Sequence, residues 1–271
     1  MYYLAFYFVI FAASAKRLKE VNSVKISMVS SLKHTRSPAL FSHAESPVWD
    51  TNLQRLYFVD AHAQNIHWLD YNSGKIYTKH IGTKGPQIGD VVTPDKATFY
   101  SVSQENFFRP NVKLRPVSIS NGIVWSLNNT VLYYIDSPTK KIEAFDFDLQ
   151  TGDIGARRTI IDIDEYGYDH AIPDGMTIDS EGHLWVAIMF GGTVLHIDPD
   201  NRRIVFEYKL PTSRVTSVCW GGPRLDELFV TSGREARAER DPLAGAIFTI
   251  RDTGSFGLPP YAFKFDNADS Y

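Results

Sequence analysis

From Glu45 onward the chain is built of short runs rich in aromatic and β-branched residues and bounded by polar turn residues, and the runs come in pairs. The first member of each pair reads Leu56–Asp60, Leu132–Asp136, Leu184–Ile188 and Leu228–Ser232, each opening on Leu and continuing in aromatic or β-branched residues. The second reads Ile66–Asp70, Ile142–Asp146, Val194–Asp198 and Ile247–Arg251. A short apolar stretch precedes each pair, at Pro47–Trp49, Gly122–Trp125, Gly175–Ile178 and Ser217–Trp220, and a further short strand follows some of them, as at Lys75–His80 and Arg203–Tyr208. Asn, Asp and Gly fill the joints and no helical period intervenes, so the pattern predicts antiparallel units of up to four strands.

Four-stranded units recurring every 40 to 50 residues or so signal the blades of a β-propeller. The step from Gly122 to Gly175 is 53 residues and that from Gly175 to Ser217 is 42, both fitting one blade. From Ser46 to Gly122 it is 76, too long for one blade and short for two. Inside that interval Val91–Thr93 and Thr98–Val102 supply about half a blade, and Gln104–Arg115 reads as a bridge. The predicted fold class is therefore all-β, a propeller short by about one blade, occupying residues 43–271 behind a leader or arm at 1–42.

In such a ring the innermost strand of each blade lines the central channel, so equivalent residues of different blades face one another. Ile172–Asp179 places Asp174 between Pro173, which lacks an amide proton, and Gly175, which tolerates unusual backbone angles, so Asp174 is expected at a bend between strands. Asn121 precedes Gly122 in the same way, and Glu45 precedes Ser46 and Pro47. Each of the three alone also reads as a turn former or strand-end cap. Their recurrence at equivalent points leads to the expectation that Glu45, Asn121 and Asp174 converge on one metal. Two carboxylates and an amide carbonyl are hard oxygen ligands, favouring Ca²⁺, Mg²⁺ or Mn²⁺ over a structural zinc.

Composition narrows the alternatives. A net charge of −3 and a pI near 6.2 leave no electrostatic footprint for nucleic acid. Cys219, the one cysteine, lies in an apolar run, reads as a small buried hydrophobe and can form no intrachain disulfide. Tyr2–Ala12 is too short for a transmembrane helix, and Ala13-Ser14-Ala15 before Lys16 looks like a signal-peptidase site, although no Lys or Arg precedes the apolar run. The expected compartment is the cytoplasm, or the exterior if residues 1–15 are a working signal peptide. No Gly-x-Ser-x-Gly is present, arguing against a serine hydrolase, and the eight histidines include no His-x-x-x-His pair. His67 and His196, at equivalent strand positions, read as framework residues. No feature sets the oligomeric state.

At Glu45–Trp49, Ser118–Gly122, Tyr133–Ser137, Ile172–Met176, Gly221–Leu228 and Gly257–Tyr261 the sequence resembles the senescence-marker-protein, gluconolactonase and luciferin-regenerating-enzyme family, the regucalcin-like propellers. The resemblance implies a six-bladed propeller with a divalent cation, Ca²⁺ foremost and Zn²⁺, Mn²⁺ or Mg²⁺ as alternatives, at the channel mouth. It implies Glu45, Asn121 and Asp174 as ligands and Asp174 also as proton donor and acceptor. The expected activity is metal-dependent hydrolysis of a small-molecule lactone, the cation polarising the ring carbonyl and activating water. One departure stands out: the family's Arg-x-Asn-Asp-Gly strand, which binds substrate hydroxyls, is matched only by Arg109-Pro110-Asn111, and Val112 and Lys113 do not continue it. That departure motivates the alternative of a calcium-binding propeller without catalysis.

Overall fold

The computed structural model describes residues 24–28, 40–80, 97–101, 111–234 and 240–260, with the backbone alone for 97–101 and 111–112. The possible signal peptide and Arg109 lie outside them. Strand β1 (Lys25–Met28) comes first in the chain. One four-stranded antiparallel sheet follows: β2 (Ala44–Asp50), β3 (Arg55–Asp60), β4 (Asn65–Asp70) and β5 (Lys75–His80). β6 (Ala97–Ser101) and β7 (Asn111–Val117) form a two-stranded sheet. A second four-stranded sheet holds β8 (Ser120–Trp125), β9 (Val131–Asp136), β10 (Lys141–Phe147) and β11 (Ile154–Asp162), and a third β12 (Ile172–Ile178), β13 (Leu184–Met189), β14 (Thr193–Asp198) and β15 (Arg203–Lys209). The fourth holds β16 (Val215–Gly221), β17 (Glu227–Ser232) and β18 (Phe248–Arg251), and β1 completes it by pairing with β18.

The sheets pack face to face, each leading with its first strand: β2, β16, β12 and β8 lie side by side in that order. This is the propeller arrangement expected from the sequence. Each gap between sheets carries its own core. Ile135, Ile142, Val186 and Leu195 fill the space between the second and third sheets, Trp185, Val218, Val230 and Phe248 that between the third and fourth, and Trp49, Phe58 and Phe229 that between the fourth and first. Strands covered on both faces show unbroken burial, as β13, β14, β16 and β17 do. Cys219 is buried beside Trp49 and Phe229, as read, and burial pushes its thiol pKa up.

The acidic ends of the second strands anchor the chain ahead of the first strands. Asp60 accepts hydrogen bonds from the amides of Ser42 and His43, at 2.8 and 2.9 Å, and Asp136 accepts from those of Ser118 and Ile119, at 3.0 and 2.8 Å. In both blades a carboxylate at the end of the second strand fixes the chain just ahead of the first, an arrangement that satisfies otherwise orphaned amides.

Three expectations change. Gln104–Arg115 is not all bridge, because Asn111–Val117 is strand β7, paired with β6 and packed through Val117 and Leu114 on Leu132, Tyr134 and Phe145 of the second sheet. The arm assigned to residues 1–42 contributes β1 to the fourth sheet. The expectation that Asp174 sits at a bend between strands also fails: Glu45, Asn121 and Asp174 all lie inside their strands, at β-bulges. No helix among the described residues is long and apolar enough to cross a membrane.

Candidate metal centre

Each first strand slips register once, near its start. The slip falls between Glu45 and Val48 in β2, between Ser120 and Ile123 in β8, between Pro173 and Met176 in β12, and between Val215 and Ser217 in β16. A bulge bends the strand and re-aims the side chain at the extra residue. In β2 the backbone of Ser46 takes up the distortion, with φ of 49°, and its amide donates to Glu45 Oε2 at 2.8 Å. Four equivalent bulges thus present Glu45, Asn121, Asp174 and, in β16, the Thr216–Ser217 pair.

Three of these come together. The Glu45 charge acts on the Asp174 carboxyl, and the Asn121 side chain bears on it from the third strand. Asn121 is held by its amide nitrogen, which donates to Ser137 Oγ at 3.1 Å. At the fourth bulge Thr216 Oγ1 donates to the Ala44 carbonyl at 2.6 Å and meets Thr231 Oγ1 at 2.8 Å, so it ties β16 to β2.

The close approach of the strands explains the glycines. Gly175 has no left-handed φ, so conformational freedom is not its reason. A Cβ there would lie 2.7 Å from the backbone Cα of Ser217. At Gly122 a Cβ would lie 2.6 Å from Met176 Cβ and 2.8 Å from the Asp174 carbonyl oxygen. Only glycine lets β12 lie against β16 and β8 at this spacing.

Electrostatics make the centre costly as it stands. Burial, then the neighbouring Glu45 charge, pushes the Asp174 carboxyl well above its ordinary range, opposed by the Asn121 side chain and the Gly175 amide. Burial also raises Glu45, against the Ser46 amide. Asp174 is 3% exposed and its Oδ1 is buried without a hydrogen-bond partner. Two crowded carboxylates with an orphaned oxygen, beside an amide already anchored through its nitrogen, suit a divalent cation bound by hard oxygens.

A family model described as SMP-30/Gluconolactonase/LRE-like region matches residues 87–234, more than half of the chain. The chain belongs to this family. An uncharacterised protein of Sulfolobus acidocaldarius is 55% identical over 138 residues, which cover 51% of this chain and 47% of that protein. Regucalcin of Danio rerio is 46% identical over 151 residues, covering 54% of this chain and 50% of the relative. The chain thus matches about half the length of these curated relatives. In structure it is similar to a luciferin-regenerating enzyme, with a TM-score of 0.74 at 22% identity, covering 87% of this chain and 98% of that one. At that identity the likeness concerns the fold.

Other residues weighed from sequence are placed elsewhere. His67 is framework, its Nδ1 facing Thr78 Oγ1 at 2.9 Å and its ring packed on Phe41 and Phe58. His170 is exposed. His196, grouped with His67 in the sequence reading, instead meets His183 and Asp179 at the other end of the third sheet. The signal for that cluster was the β13–β14 hairpin register, which sets His196 opposite Trp185, two residues from His183.

Proposed function

We propose that this protein is a divalent-metal-dependent hydrolase that opens the ring of a small lactone. The observation that carries the reading is the convergence of Glu45, Asn121 and Asp174 from three bulged strands, with a buried Asp174 oxygen lacking a partner. Family membership supports the reaction class. Glu45, Asp174 and the Asn121 carbonyl would hold the cation, with Ca²⁺ or Mn²⁺ favoured by the oxygen donors. When bound, it would supply positive charge to polarise the lactone carbonyl and to acidify water.

The chain's own part is proton handling and positioning. Asp174 accepts a proton from the attacking water as the new carbon–oxygen bond forms, then returns it to the ring oxygen as the ring bond breaks. Ser137 Oγ accepts from the Asn121 amide nitrogen at 3.1 Å and so anchors that side chain beside the centre. Water is limited by Gly122 and Gly175, which close the strands around Asp174.

The test is hydrolysis of a sugar 1,5-lactone by the full chain, with and without Ca²⁺ or Mn²⁺, beside Asp174→Asn. Cation-dependent turnover lost in the variant is expected, and turnover that survives in Asp174→Asn would sink the proposal. The second reading, a calcium-binding propeller without catalysis, is favoured by the short connection between β6 and β7, where the substrate-binding segment of the family has no full counterpart. Cation binding without turnover would select it.

A further inference from the structure

Asp179, His183 and His196 gather at the opposite end of β12 from Asp174, five residues along the strand and so about 16 Å away. Asp179 follows β12, His183 precedes β13 and His196 lies within β14. Asp179 is fully buried and His196 is 8% exposed, while His183 is partly open.

The three are held by groups around them. Asp179 Oδ1 accepts from the amides of Glu181 and His183, at 3.0 and 2.9 Å, and its Oδ2 accepts from Trp185 Nε1 at 2.9 Å. The Trp185 ring stacks on His196, centroids 4.3 Å apart at 17°, and fixes the imidazole plane. So held, His183 Nδ1 and His196 Nε2 face each other at 3.0 Å, and His196 Nε2 lies 3.5 Å from Asp179 Oδ2. One potential ligand atom from each residue lies within 4.8 Å of the other two.

We infer that these three residues form a second metal site, for a transition ion of the zinc class. A tetrahedral ion with bonds of about 2.0–2.1 Å sets its ligand atoms about 3.3 Å apart, and the separations of 3.0 and 3.5 Å bracket that spacing. Two imidazoles and one carboxylate select Zn²⁺, Co²⁺ or Ni²⁺ over the hard cations suited to the oxygen-only centre. The hydrogen bonds to Asp179 and the stacked Trp185 are the outer support that such ligands need. The exposed Glu181, whose Oε2 is 3.9 Å from His183 Nδ1, stands outside the three on the His183 side. The ion would join three segments of one blade, the end of β12, the turn before β13 and the middle of β14. Its part is structural.

The experiment titrates the full chain with Co²⁺, following the visible absorption that marks tetrahedral cobalt, then back-titrates with Zn²⁺. Wild type and Asp174→Asn are both expected to show the band at one equivalent and lose it to zinc, whereas His183→Ala shows none and binds Zn²⁺ at least 100-fold more weakly, the upper end of what losing an outer-shell partner costs. His183 is the least buried ligand, and circular dichroism checks that the variant folds. Should it not fold, X-ray absorption of the zinc-loaded wild type decides, two imidazoles being expected and an oxygen-only shell overturning the site. No band in wild type, a band that persists in folded His183→Ala, or one lost in Asp174→Asn would also overturn it. Because Asp174→Asn removes the lactonase centre, failure of one reading is distinguishable from failure of the other.

Discussion

In the proposed reaction Asp174 is the residue on which the chemistry turns, and its surroundings set how the protein answers to pH. Its carboxyl is raised by burial and by Glu45, and that of Glu45 by burial. Groups whose folded pKa exceeds the unfolded value stabilise the fold fully below the unfolded value and lose that contribution as pH rises through the folded one. In metal-free protein, the melting temperature of wild type relative to Asp174→Asn is therefore expected to fall as pH climbs from the ordinary carboxylate range, about 4, towards 7. At the proposed centre a divalent cation would bind the ionised pair and so is expected to reverse the trend in wild type alone, contributing about 2.7 kcal/mol at a hundred times its Kd. Parallel pH curves for the two proteins in chelator would contradict this account. The approximate position of Asp174 was legible from Pro173 and Gly175, but its true setting was not. A bulge is a mismatch between two strands, and neither strand alone records it.

At the scale of the element, the spacing of the inner strands is the design constraint. Gly175→Ala places a methyl group against the Ser217 backbone, which cannot swing aside as a side-chain tip could. Overpacking of this kind costs about 1–3 kcal/mol, and the variant is expected near the upper end, with the cation-induced rise in melting temperature reduced because Asp174 moves with its neighbour. Thermal melts with and without Ca²⁺ check both effects. Most strands could be read beforehand from short aromatic and β-branched runs between turn residues, and β3, with burial on every second residue, adds a plain alternation. β1 and β7 could not. Lys25–Met28 has too few residues for a period, and Asn111–Val117 carries Lys113, Arg115 and Pro116, which disguise a strand packed on one side. The Asp179–His183–His196 cluster stayed hidden for a related reason, since residues 13 apart meet only once the hairpin register is known.

For the whole molecule, the ring depends on a strand from the beginning of the chain joining the last sheet. β1 covers the hydrogen-bonding edge of β18, Met28 packs on the core between the third and fourth sheets, and Lys25 pairs with Asp252 at 3.1 Å. A chain starting at residue 29 would bare that edge, and exposed edges recruit other strands. It is expected to melt lower and to run larger on gel filtration than a chain starting at residue 24, and equal behaviour of the two would show that β1 is dispensable. Lys25 pairs with Arg251 across 226 intervening steps of sequence, whereas the other strand pairs of the four-stranded sheets join chain neighbours. Closing so long a loop is slow even though its entropic cost grows only with the logarithm of length. Three blades can therefore assemble in order from local hairpins, while the fourth waits for the two ends of the chain to meet. Completion of the fourth sheet is therefore expected late in folding, with the β1–β18 edge the first to exchange its amide hydrogens.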